Sequence, residues 1–206
     1  AFAALKHDGT VRAWGNSDYG GSGVPEGLGD IKTIYSTHRA FAALKHDGTV
    51  AAWGRDDNGG SNSFALTLSG VVTIDSTQNA FAALKEDGTV VAWGDATYGG
   101  SGIEGLGDVK AIYSNSEAFA ALKEDGTVAA WGQGNSGGSG IPAAKAVTTI
   151  YSNDRAFAAL KEDGTVAAWG RASDGGSDVP SLSSVKTIYS TIYAFAALKE
   201  DGTVQA

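Results

Sequence analysis

The segment Ala-Phe-Ala-Ala-Leu-Lys-(His/Glu)-Asp-Gly-Thr-Val starts at Ala1 and recurs at Ala40, Ala80, Ala118, Ala156 and Ala194, a tandem repeat with a period of 38 to 40 residues. Self-similarity at this period marks propellers, solenoids and arrays. Their unit is too small to bury its own apolar face and is stable only against neighbouring copies. The repeats run 1–39, 40–79, 80–117, 118–155 and 156–193, with a partial sixth at 194–206, and predict a single repeat domain over 1–206. A one-off catalytic centre would need residues that break the repeat, and few do.

One copy shows the local logic. Val109 to Ser114 is a short β-branched and aromatic run, followed by the polar turn Asn115-Ser116-Glu117. Ala118 to Lys123 comes next, then Glu124-Asp125-Gly126-Thr127, then Val128 to Gly132. Asp-Gly between two apolar runs signals a hairpin, because both residue types tolerate the positive φ of a tight turn. Each repeat therefore reads as a three-stranded antiparallel meander. The segment after it, Asn16 to Asp30 in the first copy, is a Gly/Ser/Asp/Pro loop with room for a short outer strand or helical turn at Val24 to Leu28. Variation between copies falls in these loops and in turns such as Thr37-His38-Arg39.

Alanine-rich strands violate β-propensity, and neither face of the pattern is polar. Phe119 and Ala121 share one face, Ala120 and Leu122 the other. Both faces must be covered, and small residues facing large ones let neighbouring sheets interdigitate.

Composition excludes several classes. With 42% hydrophobic and 18% charged residues the chain is globular rather than disordered. A net charge of -8 without a Lys/Arg cluster makes nucleic acid an unsuitable partner, and no apolar run is long enough for membrane insertion. The absence of cysteine removes disulfides, thiolate catalysis and cysteine metal sites. The absence of methionine predicts a processed segment, a trimmed chain or a stretch of a longer array, and the lack of both sulfur residues fits an exposed, oxidising setting.

Candidate chemistry is sparse. His7 and His46 precede Asp-Gly at hairpin tips where other copies carry Glu, and His38 lies in a turn. The adjacent acids Glu86-Asp87, Glu124-Asp125, Glu162-Asp163 and Glu200-Asp201 repeat at every tip, which suits turn chemistry rather than a unique acid/base pair. Asp56-Asp57-Asn58-Gly59-Gly60 hints at calcium but lacks a distal bidentate carboxylate. Gly20-Gly21-Ser22-Gly23 lacks the helix and Lys of a phosphate cradle. No metal, cofactor or catalytic residue is expected. Trp14, Trp53, Trp93, Trp131 and Trp169 end an apolar strand in each repeat and read as packing residues rather than sugar platforms. Tyr19, Asn58, Tyr98, Asn135 and Asp174, at or near one place in the variable loop, are the ligand-binding candidates.

The run Val109-Lys110-Ala111-Ile112-Tyr113-Ser114, then Ala118 through Gly132, then a Gly-Gly-Ser-Gly loop resembles the repeat of the regulator of chromosome condensation family. That pattern is V-x-x-I-A, A-L-x-x-D-G-x-V-x-x-W-G and a glycine-rich loop. The resemblance covers five copies and the partial sixth and implies a β-propeller with the V-x-x-I strand innermost. Repeats of that family are longer and carry Gly and His where Thr37 and Ala40 stand here, so its nucleotide-exchange and chromatin roles are not carried over.

The expected fold is all-β, a propeller-like stack of about six small three-to-four-stranded antiparallel blades, with an open superhelical β-repeat array as the alternative. The expected function is a non-enzymatic structural or adhesive module of a larger extracellular or cell-surface protein; the alternatives are a multivalent carbohydrate-binding lectin and an intracellular protein-interaction scaffold. Expected partners are copies of itself or flanking repeats, glycans or surface proteins. Five V-x-x-I strands, at Ile31, Val71, Val109, Val147 and Val185, accompany six Phe-to-Val hairpins. The surplus hairpin predicts head-to-tail association or continuation within a longer array. If the recurrent Trp is structural, Trp131→Ala lowers stability by about 3–5 kcal/mol, as for emptying a large aromatic site in a packed core; urea unfolding measures it.

Overall fold

The computed structural model describes residues 1–61, 65–103, 105–177 and 179–206. Contacts divide the chain into two compact units, Ala1–Gly107 and Asp108–Ala206. In the first unit, β1 (Phe2–Leu5) and β2 (Val11–Trp14) form a two-stranded sheet; β3 (Ile31–Ser36), β4 (Ala40–Lys45) and β5 (Val50–Gly54) form a second; β6 (Val71–Ser76), β7 (Ala80–Lys85) and β8 (Val90–Gly94) form a third. The second unit holds β9 (Val109–Ser114), β10 (Ala118–Lys123) and β11 (Val128–Gly132), then β12 (Val147–Ser152), β13 (Ala156–Lys161) and β14 (Val166–Gly170), then β15 (Val185–Ser190), β16 (Phe195–Lys199) and β17 (Val204–Gln205). Each three-stranded sheet is an antiparallel meander with the A-F-A-A-L-K strand in the middle. Among the described residues the first sheet has two strands and each of the other five has three. The loop after a sheet holds a 3-10 turn, such as Ser17–Tyr19 or Asp56–Asn58, and Val24 to Leu28 contributes a turn rather than a strand.

The V-x-x-I spacing conceals a bulge. Residues three apart in a regular strand point to opposite faces. Here the pairing with the middle strand skips one residue, passing from Val147↔Lys161 to Thr149↔Leu160. The skipped residue, Thr148, is exposed, and Val147 and Ile150 both enter one core cluster with Phe157 and Trp169. Ile31, Val71, Val109 and Val185 begin strands with the same shift. A β-bulge therefore converts an odd spacing into a common face.

The Asp-Gly hairpins also differ from the tightest form. Gly48 N–H donates to Lys45 O at 3.1 Å and Lys45 N–H to Thr49 O at 2.9 Å, so the loop has three residues. Only the Gly takes a positive φ, +77° at Gly48, which is a type I turn closed by a left-handed residue.

Sheets interlock through glycine and aromatic rings. Within each three-stranded sheet of the first unit the middle strand is buried from Ala to Leu, and Phe81, Phe119 and Phe157 are fully buried. Phe41 stacks on Trp53 at 5.2 Å, Phe81 on Trp93 at 5.2 Å, and Phe157 on Trp169 at 5.3 Å. The indole N–H of each Trp reaches the loop of the preceding repeat, donating to Gly20 O, Gly59 O and Gly137 O respectively at 3.0 Å. Aromatic stacks of this kind add about 0.5–1.5 kcal/mol beyond area burial. Trp131 is 5% exposed and stacks on Phe119, as its packing role requires; Trp14, at 52% exposure, is the exception.

The residue before each V-x-x-I strand lies in the left-handed region: Asp30, Asp108, Ala146 and Ser184 at φ 54° to 58°, and Gly70 at 66°. Its carbonyl accepts the N–H of the hairpin-tip residue, as Ala146 O does from Glu162 at 2.9 Å. Alanine in this region costs roughly 1–2 kcal/mol, while glycine restores about 0.5–1 kcal/mol of chain entropy to the unfolded state. Ala146→Gly is expected to raise unfolding stability by about 0.5–1 kcal/mol, measured by denaturant titration; Ala146→Val is expected to lower it.

Candidate functional site

The polar, variable residues gather where the turn between the first two strands of a sheet meets the loop that follows its third. The first turn residue, Thr or Asn, acts as a clamp. Thr37 Oγ1 accepts from Ala40 N–H at 3.0 Å and donates to Asn58 O at 3.1 Å; Thr77 repeats this with Ala80 and Tyr98. Asn115 and Asn153 reproduce it with an amide. Oδ1 accepts from Ala118 or Ala156 at 2.8 Å, and Nδ2 donates to Ser136 O at 2.7 Å or Asp174 O at 2.6 Å. Neighbouring turns are joined as well, through His38 N–H to Gln78 O at 2.8 Å in the first unit and Ser116 N–H to Asp154 O at 3.1 Å in the second.

These clamps decide where the five candidate ligand residues stand. Tyr19 is half-buried with the Arg39 guanidinium 5.2 Å above its ring, a cation–π contact. Asn58 is 5% exposed and donates to Asn79 Oδ1. Tyr98 lends its carbonyl to Thr77. Asp174 is 4% exposed, its Oδ1 accepting from Ser173 Oγ at 2.7 Å while Oδ2 has no hydrogen-bond partner. Asn135 is exposed. Asn58 and Asp174 are thus engaged within the clasp, and Ser136, one residue after Asn135, is the buried counterpart in that repeat.

In the second unit a polar groove of about 650 Å³ opens beside this clasp, lined among others by Glu117, Gln133, Asn135, Ser139, Arg155 and Arg171. Glu117 accepts from Ser136 Oγ at 2.6 Å and pairs with Arg155 at 3.5 Å. Arg155 also lies 3.4 Å from Asp154, which accepts from Ser116. Arg171 is exposed, 3.9 Å from Asp174. Sequence reasoning passed over Glu117 and Arg155. The signal was available in the third turn position, which reads Arg39, Asn79, Glu117, Arg155 and Tyr193 along the chain.

The other candidates take local roles. His7, His38 and His46 are exposed. Asp57 of the acidic loop pairs with Arg55 at 3.6 Å, and among the described residues no three His, Asp or Glu converge on a common point. The Gly-Gly pair is a tightly packed turn. The first glycine ends the 3-10 turn at φ +85° to +96°.

No family model and no curated protein matches the chain; solved structures do. Prp20p of Saccharomyces cerevisiae is similar at 20% identity and a TM-score of 0.55, over 84% of this chain and 56% of that one. The ectodomain of the receptor kinase CR4 of Physcomitrella patens is similar at 16% identity and 0.59, over 84% and 50%. The ectodomain of the Arabidopsis thaliana receptor kinase ACR4 is similar at 15% and 0.56, over 98% and 75%. The chain spans about half the length of the first two. The fold is that of RCC1-like β-propeller repeats, all-β and built from small antiparallel blades.

The carboxylates with perturbed acidity are those of the hairpin tips. At Asp125 the Thr127 hydroxyl donates at 2.6 Å and the Thr127 N–H at 2.9 Å, and these bonds, the hydroxyl first, hold the carboxyl below its ordinary range. Asp8, Asp47, Asp87, Asp163 and Asp201 are held down in the same way. A folded value below the unfolded one contributes stability that is present above the unfolded pKa and lost as pH falls through the folded value. The melting temperature is therefore expected to stay level in mild acid and to fall below about pH 4. Thr127→Val is expected to return the Asp125 titration, followed by NMR, toward the ordinary carboxylate value.

Proposed function

We propose that the 206 residues act as one repeat domain, a non-enzymatic interaction module serving a structural or adhesive role in a larger extracellular or cell-surface protein. The observation that carries this reading is the division of labour between positions. Side chains that repeat are buried in the strands and the Phe–Trp–Gly clasps, whereas side chains that differ, such as Arg39, Gln133, Asn135, Glu117, Arg155 and Arg171, line the turn-and-loop edge. A constant framework presenting a variable polar edge is the arrangement of a binding scaffold, since specificity resides in loops held by rigid elements.

The perturbed carboxylates are exposed turn residues tied to Thr, which argues for turn chemistry over acid/base catalysis. The Prp20p structure is reported with binding to Gsp1p and histones, and two further relatives in fold are receptor-kinase ectodomains. These supply an analogy for protein partners and a surface location, which the absence of cysteine and methionine also suits. Labelled chain applied to a panel of intact cells is expected to be retained, to lose that retention after mild protease treatment of the cells, and to lose it in Arg155→Ala/Arg171→Ala. Equal retention by the double variant, or none on any cell type, would overturn the reading.

The groove beside Arg155 favours carbohydrate as a second reading, because its polar lining of amides, hydroxyls and guanidinia suits glycan hydroxyls. Protease-insensitive retention together with a glycan-array signal lost in Arg155→Ala would assign the site to sugar.

A further inference from the structure

Two strands of identical sequence, β5 and β14, both Val-Ala-Ala-Trp-Gly, stand in different surroundings. In the first unit the loop after β5 lies against its own strand. Ala65 and Leu68 join Val50 and Ala52 in one core cluster, and Val50 and Ala52 are fully buried. In the second unit Val166, Ala167 and Ala168 of β14 are only half-buried. β14 is the outer strand of its sheet and pairs with β13. Backbone groups of an antiparallel edge strand point alternately toward the partner strand and away from it. The bonds from Arg171 N–H to Arg155 O at 2.9 Å and from Lys161 N–H to Thr165 O at 3.0 Å fix that alternation. Ala167 and Trp169 turn their N–H and C=O toward β13, so those of Val166 and Ala168 point away. Among the described residues no hydrogen bond engages these groups. Gly170 shares their orientation but is covered by Gly176, where a Cβ would lie 2.5 Å from the Gly170 carbonyl carbon.

The open stretch borders the polar groove. Ala168, Trp169 and Arg171 line that groove with Arg155, and its charged lining is these two guanidinia and the Glu117 carboxylate, in a chain of net charge -8. Arg155 and Arg171 are cross-strand neighbours, as Arg39 and Arg55 are in the first unit, where the Arg55 N–H also donates to Arg39 O at 2.9 Å. The same two places hold Asn79 and Asp95 in one further sheet and Glu117 and Gln133 in another, so in these four sheets arginine stands at both places or at neither. Like charges facing each other across a ladder are unfavourable, and the two pairs are relieved differently. Arg39 lies over Tyr19 and Arg55 beside Asp57. In the second unit Glu117 and Asp154 hold Arg155, whereas Arg171 lies 3.9 Å from Asp174 with 47% of its side chain exposed. Val166 and Ala168 turn their side chains the other way, into the cluster with Leu182.

We propose that the outer edge of β14 takes an extended peptide of a partner protein as a fourth strand, with acidic and apolar side chains in alternation. The peptide backbone pairs with the N–H and C=O of Val166 and Ala168. On the Trp169 side its carboxylate meets the fork of donors on Arg171, with Arg155 behind, and on the other side its apolar residues meet the Leu182 cluster. The guanidinia would accept an acidic sugar equally well; the unpaired backbone groups favour a peptide, because only a peptide continues the ladder. The inference rests on the protein-partner reading of the Arg155 edge and names what that edge recognises.

The probe is a short fluorescent peptide of alternating Glu and Val, titrated with the 206-residue chain and read by anisotropy. Saturable binding is expected, weaker by roughly tenfold in Arg155→Ala/Arg171→Ala, the loss that follows from removing charge-assisted hydrogen bonds. A peptide with Lys in place of Glu is expected not to bind. Ala168→Pro removes the outward N–H while leaving the β13 ladder intact, and is expected to abolish binding. N-methylation of alternate peptide residues, on the edge that meets β14, is expected to do the same with the protein unaltered. The proposal is overturned if the Glu–Val peptide does not bind, if N-methylation leaves its affinity unchanged, or if an oligouronate binds more tightly and Ala168→Pro leaves that binding intact. Peptide failure while cell retention is still lost in the double variant overturns this inference alone; failure of both overturns the reading beneath it.

Discussion

The fold depends on a pair of consecutive positions that tolerate no side chain. Where the loop leaves one sheet and crosses to the next, a Cβ on Gly59 would lie 2.6 Å from the Phe81 ring, and one on Gly60 would lie 2.4 Å from the Gly54 carbonyl carbon. Gly137 and Gly138 are pinched in the same way between Phe157 and Gly132. Because these approaches are so close, the glycine carbonyl falls within hydrogen-bond reach of the indole. The aromatic stack then covers the loop, and the alanines of the middle strand, such as Ala82, Ala83, Ala120 and Ala121, are fully buried. Larger residues at either glycine would separate the sheets by more than small alanine side chains can fill, and the loss would fall on dispersion contacts throughout the interface.

Much of this was legible in the sequence, for identifiable reasons. The strands and hairpins follow from Asp-Gly and Trp-Gly at fixed offsets, and the burial of both sheet faces follows from the alanines. The bulge was not legible, because V-x-x-I reads as an ordinary β-branched run until the pairing shows Thr148 or Lys32 skipped. The clamp was hidden for a different reason: Thr37 and Asn115 are common turn residues whatever they bind, and their second bond spans 21 residues. Among the loop candidates, counting back from Gly-Gly rather than choosing the most functional side chain would have aligned Ser136, not Asn135, with Asn58 and Asp174. Polarity marked these residues as sites, whereas their burial is a property of the clasp that no local pattern reveals.

Thr and Asn alternate at the clamp without changing its geometry, since each offers one acceptor and one donor at matching reach. The neighbouring turn position is far less restrained. Arg39 lies over a tyrosine ring, Asn79 accepts an amide hydrogen, and Glu117 joins a serine and an arginine. Each solution satisfies its own loop, so diversity at this edge is bounded by what the adjoining loop residue can pair with, and changes there are expected to arise in couples.

The bulge in V-x-x-I has a consequence for how such chains diversify. Gain or loss of an entire repeat leaves each hydrophobic set on its proper face, because every copy brings its own register correction, and unequal recombination between near-identical coding segments can therefore lengthen or shorten the protein without passing through a misfolded ancestor. Gain or loss of one residue inside the first strand has the opposite effect, abolishing or doubling the correction and turning Val or Ile outward. Length variation in this lineage should accordingly come in whole repeats or in loops, with the interior of the first strand closed to it.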